Sequence, residues 1–447
     1  MMGEVPGSMR QQLLFLEFNE INIESALFYC SRGRLPHLHH LIDTAGLQRT
    51  TSEQRYEDLE PWIQWVTAHT GLTLAQHGVF RLGDIVGRNI PQIWEQLEQR
   101  GLKVGAVSPM NAEHRLRDPA FFIPDPWTAT GITAPVGLRR LYQAISQAVN
   151  DNAQERVTLS SAAALLLGAL TYARASNYLY FVRAALGARR YPWRKAMALD
   201  VLLSDVFIRQ VARTQPHFAT LFLNAGAHIQ HHYMFCAESY RGPHRNPDWY
   251  VPSGVDPVLE VYELYDHILG AIRRRFPLAR VMVATGLHQD PYTEVKYYWR
   301  LKNHEAFLRQ IGVPFASVEP RMSRDFLIKC TDAAQAVAAA ARLSQATAAD
   351  GAPLFEVDNR GTDIFAMLVY PAAIERDFRF RIGSTEYRDL HDNVAFVALK
   401  NGEHNGTGYF LDTGAARGSV PAEFPLTEVP HRIMQALGVG GAAGQAV

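Results

Sequence analysis

Short, almost uninterrupted apolar runs alternate along this chain with longer stretches in which apolar residues recur every three to four positions. The runs QLLFLEF (12–18), KVGAVSP (103–109), ATLFLNA (219–225), RVMVATG (280–286) and IFAMLVYP (364–371) predict strands, each closed by Gly, Asn, Pro or Ser. Near-continuous apolarity means burial on both faces, and strands of that kind separated by helical patterns form a mostly parallel sheet flanked by helices. The expected fold class is therefore α/β. In such sheets ligands bind beyond the carboxyl ends of the strands, so FNEIN, NAGAHIQHH and TGLHQDP are expected to open towards one edge.

Between about 135 and 215 the pattern turns continuously helical and rich in Ala, Leu and Arg. This stretch is expected to be a helical insertion or cap, with 10–134 and 216–437 forming the α/β core. Within it, SSAAALLLGALTYA (160–173) is the most apolar segment. It falls short of the ~20 apolar residues that span a bilayer, so a buried helix is expected, with a membrane-associated face as the lesser alternative, and no transmembrane segment. In LEPWIQWVTAHTG, Pro61 fits the first helical position, Glu60 the cap before it and Gly71 the stop, while Trp62, Trp65, Val66 and His69 follow at helical spacing. Nothing repeats at a fixed period, and the one low-complexity segment is the Ala/Gly-rich tail GVGGAAGQAV.

Composition removes several classes of function. The 44 Lys plus Arg balance 44 Asp plus Glu over 447 residues, so no global field draws the chain to nucleic acid or to an acidic membrane. Local basic clusters occur at Arg189, Arg190, Arg194 and Lys195 and at Arg273 to Arg275, where a solvated helix face is the expectation. Three widely spaced cysteines, Cys30, Cys236 and Cys330, form no disulfide framework or thiolate metal knuckle and suit a reducing, cytoplasmic setting. The apolar run near the N-terminus is interrupted too soon, by Glu17 and Asn19, to read as a signal peptide.

Candidate chemistry gathers in the strand-end segments. HIQHH supplies His228, His231 and His232, TGLHQD supplies His288, and GEHNGTG supplies His404. Imidazoles from three such segments on one edge, joined by a carboxylate, are the usual ligands of a transition metal. Glu17, Glu20, Glu60 and Asp290 lie near the same edge, with Asn19 and Asn22 as neutral oxygen donors. Period-two alternation puts Glu17 and Asn19 on one face and Phe18 and Glu20 on the other. Glu20, just past the strand, is the freer to turn into a site, whereas Glu17 is expected in a cap or salt bridge. Glu60, at a helix N-terminus, is either an electrostatic cap or a base or ligand kept ionised by the helix dipole.

Taken in order, several segments resemble the alkaline phosphatase superfamily, in particular its type I phosphodiesterase and nucleotide pyrophosphatase branch. They are GRLPHLHHLIDTAG, HTGLTLAQHGVF, VYELYDHILGAI, VMVATGLHQD and EHNGTGYFLDTG. The resemblance implies an alkaline-phosphatase-like fold with two metal ions, usually zinc, held by aspartates and histidines, and a hydroxyl or modified Cys nucleophile at a helix start. Carried over by position, the first aspartate falls on Asn19, the nucleophile on Pro61 beside Glu60, an Asp-x-x-x-His pair on Ala227 and His231, and an Asp-His pair on Leu287 and His288. His404 matches the late histidine. The histidines are present and the aspartates and the nucleophile are not.

Two readings follow. One is a metal-dependent hydrolase with a rebuilt, mononuclear site. Glu20, His231, His288 and His404 then hold a divalent transition metal, zinc first, with manganese or iron as alternatives. Glu60 and His228 are catalytic, and Asn19 and Asn405 orient a small anionic ester. The other is a catalytically silent binding protein on the same scaffold; a full two-metal phosphodiesterase ranks behind both.

Overall fold

The computed structural model describes residues 11–150, 167–321 and 324–440. The chain divides into two compact units, one within Met1–Val149, Val157–Pro291 and Gly402–Val447, the other within Asn150–Arg156 and Tyr292–Asn401.

The first unit is built on an eight-stranded sheet. Its centre is β1 (Leu13–Phe18), whose six residues are all buried. β2 (Gln48–Thr51), β3 (Val104–Val107), β4 (Phe121–Ile123), β5 (Phe218–Leu223) and β6 (Arg280–Ala284) follow in chain order. β1 pairs in parallel with β5 and β6, and β5, β3 and β4 continue in parallel to one edge. On the other side the strand Thr407–Asp412 runs antiparallel to β6 and to β2, and Glu423–Pro425 closes that edge parallel to β2. Four of the five apolar runs singled out in the sequence thus form the middle of one mostly parallel sheet.

Helices cover both faces. Leu14, Leu16 and Phe18 point into a core shared with α1 (Ile23–Ser31), α2 (Pro36–Ala45) and the helix Pro257–Arg275. Leu13 and Phe15 point the other way, onto Trp65 of α3 (Pro61–Thr70) and Trp94. Each fully buried leucine of β1 contributes roughly 2 kcal/mol of transfer free energy, and alternation along the strand distributes that between two cores. α3 begins and ends as the sequence requires. Pro61 occupies the first turn, where no N–H is needed, and Gly71 stops the helix with φ 77°, its N–H returning to the Thr67 carbonyl.

The expected cap at 135–215 is helical over Val136–Asn150, 167–172, Tyr178–Gly187 and Arg194–Thr214, and its described residues belong to the first unit apart from Asn150. Residues 160–166 of the expected buried helix lie outside the described residues. Its remainder contradicts burial, since Leu167 and Leu170 are exposed. Of the Ala/Gly-rich tail, 441–447 also lie outside the described residues.

IFAMLVYP, read as a strand like the others, belongs to the second unit instead. There Asp363–Leu368 pairs antiparallel with Phe355–Asn359 and Asp325–Lys329 in a four-stranded sheet packed by the helix Ala333–Ser344. Its alternating burial marks a one-sided strand, which an unbroken apolar sequence hides. The chain enters this unit along β7 (His288–Leu301) and leaves it along the strand Val394–Asn405.

A candidate metal centre at the strand ends

Glu20 follows β1 directly and has φ 59°, a left-handed conformation uncommon for a residue with a Cβ. Its backbone is fixed on both sides. The Glu20 N–H donates to the Thr285 carbonyl at 3.0 Å, and Gln230 Nε2 donates to the Glu20 carbonyl at 2.7 Å. Backbone forced into a sparsely populated region tends to mark a functional position. Here it accompanies a carboxylate that is almost completely buried.

Two histidines meet that carboxylate. His231 lies in the helix Ala225–Tyr233, which starts directly after β5, and its Nε2 is 3.2 Å from Glu20 Oε2. His404, near the end of the strand Val394–Asn405, places its Nε2 at 3.1 Å from the same oxygen. The two Nε2 atoms are 3.2 Å apart. One carboxylate oxygen and two imidazole nitrogens therefore form a nearly equilateral triangle. A tetrahedral ion with bonds of about 2.0–2.1 Å holds its ligand atoms about 3.3–3.4 Å apart, so this triangle is close to one face of such a polyhedron. Two imidazoles and a carboxylate are also the donor chemistry of zinc and its neighbours, with a fourth position open.

The surroundings hold the donors in place. Asn19 Nδ2 donates to Glu20 Oε1 at 2.9 Å and to Asn224 Oδ1 at 2.8 Å, while Asn19 Oδ1 accepts from Trp65 Nε1 at 2.7 Å. Gln289 Nε2 donates to Glu20 Oε2 and to the Ala227 carbonyl. Burial alone would raise the Glu20 carboxyl. The charge of His404, with hydrogen bonds from His231 and His404, outweighs burial and holds the carboxyl well below the usual carboxylate range.

Glu60 stands at the start of α3 with its Oε2 3.8 Å from His404 Nδ1. Its side chain makes no capping hydrogen bond, so its carboxylate is not committed to the helix. Burial, together with the negative charge of Glu20, raises its pKa, and His404 and His231 partly offset this.

The other residues singled out in the sequence go elsewhere. His288 is not part of the triangle. Its Nδ1 lies 2.6 Å from the Thr407 carbonyl and its Nε2 3.1 Å from Asp290 Oδ1. Because Gln289 takes the position facing Glu20, strand alternation directs its neighbours His288 and Asp290 the other way. Asn405 belongs to this second group: its Nδ2 donates to Asp290 Oδ2 at 2.7 Å, and its Oδ1 accepts from Thr407 N. Asn19 has both amide hydrogens and its oxygen engaged, so it braces Glu20. His228 is exposed, with its ring 4.9 Å from that of His232. Glu17 is buried, with its Oε2 3.0 Å from His69 Nε2. Gln230 and Gln289, which organise the centre, sit inside the histidine motifs HIQHH and LHQD, where an uncharged amide carries no obvious signal.

An apolar cavity of ≈ 40 Å³ opens at the carboxyl ends of β3, β4 and β5, walled by Ile123, Trp127, Leu141 and Val206. Its polar lining includes Asn224, which is hydrogen-bonded to Asn19. The cavity thus borders the bracing shell of Glu20.

No protein-family model and no curated protein matches the chain. Among solved structures it is similar to phosphonoacetate hydrolase from Sinorhizobium meliloti 1021 in complex with phosphonoformate, with a TM-score of 0.44 and 11% identity, covering 97% of this chain and 96% of that one. It is also similar to murine ectonucleotide pyrophosphatase / phosphodiesterase 5, with a TM-score of 0.42 and 11% identity, over 96% of this chain and 95% of that one. The human ectonucleotide pyrophosphatase / phosphodiesterase 5 gives a TM-score of 0.42 and 10% identity, over 98% and 97%.

Proposed function

We propose that Glu20, His231 and His404 hold a single divalent transition ion, zinc first, and that the chain hydrolyses a small anionic ester, a phosphate, phosphonate or sulfate, without a covalent enzyme intermediate. The observation that carries this reading is the triangle of ligand atoms at 3.1–3.2 Å. A bound ion of this kind polarises an ester oxygen and acidifies water.

The chain's own residues have separate tasks. Glu60, partly exposed at 36% and placed beside His404, accepts the proton of the attacking water. Pro61 offers no hydroxyl where the resemblance places a nucleophile, so attack falls to water. Asn19 and Gln289 hold Glu20 in one orientation, as outer-shell groups do for metal ligands.

Metal analysis of the purified chain tests this. About one ion per chain is expected. Glu20→Gln, His231→Ala and His404→Ala should each lose it, and His288→Ala should keep it. Glu60→Gln is expected to retain metal and to lose turnover of chromogenic phosphate and sulfate esters. Absence of metal, with a melting temperature unmoved by added zinc, manganese or iron, overturns the reading. The lack of a hydroxyl at Pro61 also favours a second reading, a metal-holding protein that binds anionic ligands without turnover. Bound metal with saturable phosphonate binding and no hydrolysis of any ester would select it.

A further inference from the structure

The helices of the cap present an unusual combination of side chains to solvent. Leu167 is 64%, Leu179 58% and Leu186 84% exposed, and Leu170 and Val182 are exposed as well. Leu179, Val182 and Leu186 are spaced three and four residues apart, so they occupy one face of the helix Tyr178–Gly187. The neighbouring helix residues 167–172 are tied to it by a hydrogen bond from the Tyr178 hydroxyl to the Leu170 carbonyl at 2.8 Å. Contiguous exposed leucines on a folded surface mark an interaction site more often than isolated ones do.

Charge narrows the choice of partner. The described residues between Asp125 and Asp200 hold eight Arg and Lys and no Asp or Glu, although the whole chain is neutral; Asp151 and Glu155 fall outside the described residues. Arg174 and Arg194 are neutralised by Asp205 and Glu260. Arg183, Arg189, Arg190 and Lys195 are exposed and make no ion pair among the described residues. An apolar helix face framed by arginines is the arrangement of a helix lying in the plane of a bilayer, its leucines among the acyl chains and its cations at lipid phosphates. A symmetric pairing of two copies through this face would instead set arginine against arginine, which opposes association.

We propose that the outer face of the cap, formed by Leu167, Leu170, Leu179, Val182 and Leu186 with Arg183, Arg189 and Arg190 around it, docks on an anionic phospholipid bilayer. Attachment is peripheral, because no helix among the described residues is long and apolar enough to cross a membrane. It does not depend on the metal centre.

Vesicle co-sedimentation of the full chain tests the proposal. Binding is expected to phosphatidylcholine vesicles containing about 30% phosphatidylglycerol and not to phosphatidylcholine alone, and it should collapse at about 0.5 M salt. L179S/L186S and, separately, R183Q/R189Q/R190Q should each weaken binding at least about tenfold, with circular dichroism and metal content unchanged. Equal binding to both vesicle types, no binding to either, or variants that bind as the wild type does would overturn the proposal. So would a dimer in light scattering that Leu186→Ser dissolves, since the face would then be occupied by a second copy.

Discussion

Lowering the pH should weaken the first unit through one buried histidine, His77. Val79 N donates to His77 Nδ1 at 3.0 Å, which makes that nitrogen an acceptor without a proton. The proton of the neutral ring is then on Nε2, which donates to Thr67 Oγ1 of α3 at 3.2 Å. Protonation would put a second hydrogen where Val79 already directs one. Burial, with a smaller contribution from the Arg88 charge, lowers the pKa of His77 to about 4. Between the unfolded value near 6.5 and this folded value, the unfolded chain binds a proton that the folded one refuses, so stability falls as pH falls through that window and levels off below it. Going from pH 7 to pH 4.5, the loss from this site alone is roughly 2.5 kcal/mol. The site is isolated by comparing the wild type with His77→Gln in urea unfolding, followed by tryptophan fluorescence, at both pH values. The advantage of the wild type at pH 7 should shrink by about that amount at pH 4.5. A gap between the two proteins that is equal at both pH values would refute the assignment of the acceptor nitrogen and the loss derived from it.

Asp200 should act in the opposite sense. Burial raises its pKa to about 6 against hydrogen bonds from Tyr265, Ala225 and Asn224, so its ionisation favours unfolding as pH rises, and the wild type should lose roughly 2 kcal/mol relative to Asp200→Asn between pH 4 and pH 7 in the same urea assay. Gly402→Ala would put a Cβ 2.2 Å from Gln289 Oε1 and push that side chain off Glu20, so metal affinity in a competitive chelator titration should drop about tenfold or more. Trp65→Phe removes the donor to Asn19 Oδ1 at a fully buried position. Leaving that oxygen unpaired should cost about 1–3 kcal/mol in chemical denaturation, beyond the effect of the smaller ring.

The sheet was legible in the sequence where burial on both faces left an uninterrupted apolar run, as in Leu13 to Leu16, Thr220 to Leu223 and Val281 to Ala284. That same signal misled at Ile364 to Leu368, because an apolar run does not say whether its second face meets a helix or solvent, and the second unit went unseen with it. At the centre, Glu17 lies within β1 and meets His69, whereas Glu20, just past the strand end and at φ 59°, turns its carboxylate to His231 and His404. His288 shares a strand-end position with the other histidines, yet it is one residue out of step with Gln289, the residue that reaches Glu20. Sequence spacing alone could not tell these neighbours apart, since it leaves open which of two alternating faces a strand turns to the site. Gln230 and Gln289 were invisible for a different reason: an amide becomes informative only when its hydrogen-bond partners are known.

The second unit sits in the sequence between donors of the same triangle. His231 and His404 are 173 residues apart, and the intervening chain includes the whole of 292–401. On a ribosome adding about 5–20 residues per second, roughly 9–35 seconds pass between the synthesis of the one and of the other. During that interval Glu20 and His231 are without the third member of the triangle, which closes only after the inserted unit has been made. An ion that needs all three donors would therefore be held only once synthesis has passed residue 404.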